Sequence, residues 1–198
     1  MIEQINTKQL EVLSYQASKK GKDCCGDSFL VVTKPDYAII SIADGLGSGV
    51  QAKESSEIVM NVLDKHHNED LHSILLKCND SLRAKRGAAV AIIKIYFSLN
   101  EMVYAGIGNI KFTIISPSGK STYPLPKMGF LSGKPISIQI QRFSYENESV
   151  FLMSSDGVGM IASKDLLSYH HSLQSIIDLV RQQNNGNDDV TVLVGKIK

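Results

Sequence analysis

The sequence predicts an α+β fold built mainly from antiparallel strands. Apolar runs of strand length dominate the first 45 residues and residues 88–153. Two segments of helical period stand together between them, and a third precedes the last strand. Short turns join most of the strands. That favours antiparallel pairing, because a parallel pair needs a long crossover. Helices segregated from a run of strands point to α+β rather than to an alternating βαβ sheet.

Taken in order, residues 10–15 read as an early strand and 18–23 as a polar turn. Residues 29–32, Phe-Leu-Val-Val, are short and rich in β-branched side chains. Residues 37–43 form a continuous apolar run, which suits a buried strand. The run ends in Asp44-Gly-Leu-Gly-Ser-Gly49, a turn by composition. Residues 51–66 carry Ile58, Val62 and Leu63 near helical spacing. Residues 71–83 repeat the pattern with Leu71, Ile74, Leu75, Cys78 and Leu82. The period then changes, and 88–99, 101–105, 111–115, 137–143 and 149–153 read as strands. Residues 123–135 hold three prolines and two glycines and read as ordered loop with a strand start. Residues 173–183 form a last amphipathic helix, 184–189 a polar loop and 190–197 a closing strand. No Pro- or Ser-rich linker divides the chain, so one domain over residues 1–198 is expected.

Composition excludes several classes. The 198 residues are 43% hydrophobic and 21% charged, enough apolar content for a real core. Lys plus Arg number 21 against 20 Asp plus Glu, so no overall basic field exists to hold nucleic acid. Trp is absent, which weakens any aromatic platform for bases. No apolar run reaches the roughly 18 residues that span a bilayer. The start carries Glu3 and Glu11 and no apolar stretch, unlike a secretory signal. The odd set Cys24, Cys25 and Cys78 suits a reduced, cytoplasmic protein, and adjacent cysteines are a poor start for a zinc site. A monomer is expected.

The informative feature is where aspartate sits. Twelve occur, and none lies between Asp80 and Asp156. Asp27 stands just before a predicted strand, and Asp44 ends the strongest one. Asp156 follows another, and Asp188 and Asp189 precede the last. Acids at strand ends of one sheet system can converge on a cation, and an all-oxygen set suits Mg²⁺ or Mn²⁺. Glycine after the acid lets the backbone turn tightly and leaves a carbonyl open, with Gly45 the candidate. An Asp-Gly pair is also an ordinary turn, so spacing alone leaves both readings open. Asp23, Asp36, Asp64, Asp70, Asp80, Asp165 and Asp178 read as caps, turns or solvated faces.

Five strings then come in order: Asp27-Ser28, Ala43-Asp-Gly-Leu-Gly-Ser-Gly49, Gly106-Ile-Gly-Asn109, Ser154-Ser-Asp-Gly157 and Asp188-Asp-Val-Thr191. They resemble the motifs of PP2C-type metal-dependent serine/threonine phosphatases, over nearly the whole chain. Cys25-Gly-Asp-Ser-Phe29 and Leu131-Ser-Gly-Lys-Pro135 look like the small stressosome feedback phosphatases of Bacillus-type general stress signalling. The resemblance implies a central antiparallel β-sandwich flanked by helices and a site for two ions, Mn²⁺ or Mg²⁺. It implies Asp27 and Gly45 as ligands, Asp44 as the bridge between the ions, and Asp156 and Asp188 completing the set. Asp189 stands where the family often has asparagine, so it would tune or replace a ligand. The implied substrates are phosphorylated stressosome scaffold or antagonist proteins, whose dephosphorylation would give negative feedback on a stress sigma factor.

The sequence also departs from the family pattern. Gly26 stands where an acid often precedes the first aspartate. The arginine that grips phosphate in larger relatives has no clear match, although Lys19, Lys20 and Lys22 are nearby. Ser28 reads as a structural serine at a strand start, and Asn109 as part of a turn beneath the site. The pairs His66-His67 and His170-His171 are poor joint ligands, because neighbours in a helix point apart. Two alternatives stay open: a non-catalytic binding module on the phosphatase fold, and a phosphatase for a small phosphoester.

Overall fold

The computed structural model describes residues 1–158 and 172–198; Asp165 and the His170-His171 pair lie outside the described residues. Its strands are β1 (Ile2–Asn6), β2 (Leu10–Ala17), β3 (Asp27–Thr33), β4 (Tyr37–Gly45), β5 (Ala88–Tyr96), β6 (Glu101–Ile107), β7 (Lys111–Ile115), β8 (Ser121–Thr122), β9 (Gln141–Ser144), β10 (Val150–Ser154) and β11 (Val190–Ile197). The described helices are α1 (Val50–His66), α2 (Leu71–Ser81) and α3 (Leu173–Gln183).

The strands form two sheets, ordered β1-β2-β11-β10-β7-β8 and β3-β4-β5-β6-β9, with antiparallel pairing throughout. The sheets pack face to face. Ile40, Ile42, Ile93 and Tyr104 of one meet Val12, Phe112, Phe151 and Leu193 of the other. Tyr104 and Phe112 stack across this gap with ring centroids 5.9 Å apart. Each sheet is covered on its outer face as well. Val59 and Leu63 of α1 and Ile74 and Leu75 of α2 lie on Ile39, Val90 and Ile92. Ile176, Ile177 and Val180 of α3 lie on Leu13, Leu152, Val192 and Val194. Burial on both faces explains why β4 and β5 read as continuous apolar runs instead of alternating ones.

Local chemistry sets the helix starts. The Asp70 carboxylate accepts from Ser73 N at 3.0 Å to begin α2, and Ser172 Oγ accepts from Ser175 N at 3.1 Å to begin α3. At the other end of α1, Lys94 is 2% exposed and donates to the carbonyls of His67 and Glu69 at 2.9 and 2.7 Å. His67 Nδ1 bonds the Tyr37 hydroxyl at 2.7 Å and His66 Nδ1 bonds Glu69 at 2.8 Å, so each histidine has its own structural partner.

Four elements differ from expectation, one of them the two-residue strand β8, which is not among the expected strands. β1 lies in a stretch with no strand signal, because it is an exposed edge strand held by pairing to β2. The strand expected over 88–99 stops at Tyr96, where Phe97–Leu99 turns as a 3-10 helix into Asn100 at φ 47. The strand expected over 137–143 is Gln141–Ser144. Ile136, Ile138 and Ile140 pack, from outside the ladder, against the cluster formed by α1, α2 and the outer face of this sheet, so their apolar character reflects packing of an irregular segment.

Candidate metal centre

Asp27 opens β3 and Asp44 stands one residue from the end of β4, and the two are direct partners in the β3–β4 register. Side chains alternate along a strand. Phe29 and Val31 of β3, and Ile40 and Ile42 of β4, face the gap between the sheets. Asp27 and Asp44 share that face, so both carboxylates stand at the mouth of the sandwich.

The other sheet closes the same end. β10 stops at Ser154 and β11 starts at Val190, with Ser154 paired to Val192. The loops beyond them carry Asp156, in a 3-10 turn, and Asp188 with Asp189. The Ser155 hydroxyl accepts from Thr191 N at 2.9 Å, and Ser155 N donates to the Thr191 carbonyl at 3.0 Å. These two residues also present hydroxyls to Asp27.

Electrostatics shows how close the acids stand. Asp27 is 3% exposed and its pKa is raised to about 6. Burial is the main cause; the hydroxyls of Ser155 and Thr191 oppose it, and Asp189 and Asp156 add to it. Asp44 is raised to about 8, by burial first and then by Asp27, Asp156, Asp188 and Asp189. Among the described residues, the charges pressing on Asp44 are all carboxylates, and Asp27 Oδ2 is buried without a hydrogen-bond partner. Asp44 with four other carboxylates whose charges reach it, and a buried Asp27 oxygen without a partner among the described residues, fit a hard divalent cation. Among the described residues, no three of these side chains already close on one point as a ligand cluster.

The remaining acids differ in what they touch. Asp156 is exposed and its Oδ2 accepts from Asn109 Nδ2 at 2.6 Å. Asp188 is exposed and its Oδ1 accepts from Asp189 N at 2.9 Å. Asp189 is 6% exposed and its two oxygens accept from the backbone N–H groups of Lys19 and Gly26, each at 2.8 Å. Gly45 packs so closely on α1 that a Cβ there would overlap the Ala52 carbonyl oxygen. Close packing alone therefore requires glycine at this position, besides any use of its carbonyl. Ser28 Oγ bonds Ser56 Oγ of α1 at 2.8 Å, a structural role.

Sequence reasoning missed several contributors. Gln16 Nε2 donates to the Asp27 carbonyl at 3.2 Å and to Thr191 Oγ1 at 3.1 Å. Arg86 lies over the turn after Asp44, where a Cβ on Gly47 would sit 2.5 Å from its guanidinium. Ser155 and Thr191 could have been found from their places beside Asp156 and Asp189 in the motifs; Gln16 and Arg86 carry no such signal. An open pocket of about 470 Å³ lies beside Asp27, lined among others by Cys24, Cys25, Ser28 and Lys53.

A family model described as stage II sporulation protein E (SpoIIE) matches residues 34–198. The chain belongs to the SpoIIE family. Phosphoserine phosphatase RsbX of Bacillus subtilis (strain 168) is 36% identical over 198 residues, which is 100% of both chains. A crystal structure of RsbX in complex with magnesium matches with a TM-score of 0.96 over 100% of both chains, again at 36% identity. The catalytic domain of the serine threonine protein phosphatase PstP, in complex with 2 manganese ions, shares the fold. Its TM-score is 0.76 at 16% identity, over 96% of this chain and 98% of that one. The helix-flanked antiparallel sandwich implied by the resemblance is the observed architecture, and this SpoIIE-family chain is a metal-dependent phosphatase.

Proposed function

We propose that this chain hydrolyses phosphoserine or phosphothreonine on stressosome regulatory proteins, using two divalent cations, Mn²⁺ or Mg²⁺. The observation that carries the reading is the Asp27–Asp44 pair, facing one gap with an unpartnered buried oxygen between acids of both sheets. Asp44 would bridge the ions, and Asp27, Asp156, Asp188 and the Gly45 carbonyl would complete their ligands. When bound, such ions supply an activated water and neutralise the oxygens of the transferring phosphoryl group. The chain's own residues set the geometry. The ladder fixes the spacing of Asp27 and Asp44, the Asn109 amide orients Asp156, and Ser155 and Thr191 orient Asp27. With the attacking water supplied by the ions, no covalent protein intermediate is required.

A protein substrate, in preference to a small phosphoester, is supported by the loop over residues 123–131. It is tied to the site end of its sheet, with Lys127 N donating to the Gly106 carbonyl and Leu131 N to the Ala88 carbonyl. Leu125 and Met128 project from it, 76% and 92% exposed. Exposed apolar side chains beside a phosphatase site suit the surface of a phosphoprotein. A solved structure described as belonging to the bacterial stressosome, 30% identical over 96% of this chain with a TM-score of 0.86, supports the stressosome as the setting.

The test is release of phosphate from a phosphoserine stressosome protein with Mn²⁺, with Mg²⁺ and after chelation, for wild type and Asp44→Asn. Turnover should need the cation and vanish in the variant. Undiminished turnover in either control would overturn the two-ion reading. Preference for a sugar phosphate over the phosphoprotein would overturn the substrate class.

A further inference from the structure

We infer that Asp189 is a positioning residue, a clamp on the loop that delivers Asp27, and not a metal ligand. The inference rests on the reading above that Asp27 holds metal. Residues 18–26 lead directly into Asp27, and Asp189 is separated from them by more than 160 positions in sequence. Even so, its two oxygens are taken by the N–H groups at the two ends of that loop, Lys19 and Gly26. Each bond is 2.8 Å, and Asp189 is buried, at 6% exposure. Charge-assisted bonds of this kind are short and strong. Neighbouring contacts reinforce the join. Lys20 N donates to the Gly186 carbonyl at 2.9 Å, and Gly45 N to the Gly26 carbonyl at 3.3 Å. Asp188 differs, since only its Oδ1 is engaged, by the N–H of Asp189 next to it.

The two departures from the family pattern are then one arrangement. Asparagine offers a single oxygen, and its amide group would face the second N–H donor-to-donor. Two converging N–H groups therefore need a carboxylate at position 189. A Cβ on residue 26 would sit 2.8 Å from Asp189 Oδ2 and 3.0 Å from Ala52 Cβ. An acidic side chain at 26 would add a second negative charge at the same spot. Glycine at 26 and aspartate at 189 are matched to each other.

The test follows amide hydrogen exchange by NMR in metal-free protein, comparing wild type with Asp189→Asn and Asp189→Ala. Loss of the clamp should speed exchange at Lys19 and Gly26 at least about tenfold, while the β2–β11 ladder keeps its protection. In parallel, Mn²⁺ titration should show affinity about 10–100-fold weaker with the number of ions bound unchanged. Gly26→Ala should resemble Asp189→Ala, and the double variant should cost less than the sum of the two. Unchanged exchange at both amides would overturn the clamp. So would loss of a bound ion in Asp189→Asn with the two amides still protected. If wild type binds no Mn²⁺ at all, the functional reading falls, and the exchange rates still decide whether the clamp exists.

Discussion

Asp27 and Asp44 face each other across the β3–β4 ladder, and both point into the mouth of the gap between the sheets. Two carboxylates fixed opposite one another, with three more within reach, raise each other's cost of ionisation. On the proposed reading, the fold holds like charges together for a cation, against its own stability. That tension makes activity and stability respond in opposite directions to the same change.

Asp44→Asn tests this directly. It removes the acid that four neighbours press upon. Activity is expected to fall at least about 100-fold, since on the proposed reading Asp44 is a ligand to both ions. In chelator the variant should melt above wild type, by roughly 2–4 °C for each kcal/mol of repulsion relieved. A phosphatase assay and thermal melts with EDTA check both halves. A variant that is less stable than wild type without metal would contradict the electrostatic account.

The same pair predicts a pH dependence. A carboxyl whose folded pKa lies above its unfolded value favours folding only while it is protonated. Its contribution is complete below the unfolded pKa of 3.8 and is lost as pH rises through about 6 for Asp27 and about 8 for Asp44. Urea unfolding in EDTA should therefore show stability falling between about pH 5 and pH 9. Mn²⁺ should restore more stability at the upper end of that window than at the lower, because binding displaces fewer protons there. Metal-free stability that rises across the window would refute the assignment.

Tyr104 gives a prediction away from the site. It is wholly buried, stacks on Phe112 and has a hydroxyl with no hydrogen-bond partner among the described residues. Burial pushes its pKa up. A buried, unsatisfied hydroxyl costs about 1–3 kcal/mol. Tyr104→Phe keeps the ring and removes the cost, so the variant should be more stable by about 1 kcal/mol or more, with turnover unchanged. Denaturant midpoints at constant m-value would measure it.

Much of this was legible in the chain because the strands are buried on both faces. The 37–43 run and the helical spacing of Leu71, Ile74, Leu75 and Cys78 are direct imprints of that packing. The acids were legible because each stands at the end of such a run. β1 was not, since an exposed edge strand needs only backbone pairing, which leaves no apolar pattern. Nor was the partnership of Asp189 with Lys19 and Gly26, because backbone donors are present at every non-proline residue and only folding selects two of them. Sequence shows which side chains are available to a site. It shows far less about what holds them in place.

Asn109 illustrates that last point and can be tested cleanly. Read from sequence as part of a turn beneath the site, it donates to Asp156 Oδ2 at 2.6 Å from the loop after β6. Both residues are exposed, so replacing the amide leaves no cavity and no buried unsatisfied group. Stability of Asn109→Ala should stay within about 0.5 kcal/mol of wild type. Asp156, released from its partner, would sample orientations unsuited to a cation. Outer partners of metal ligands typically contribute 10–100-fold to affinity or activity. The expected result is a fall of about that size in turnover at limiting Mn²⁺, with partial recovery as the metal is raised. Equal loss at every Mn²⁺ concentration would mean that Asn109 acts on the substrate and not through Asp156.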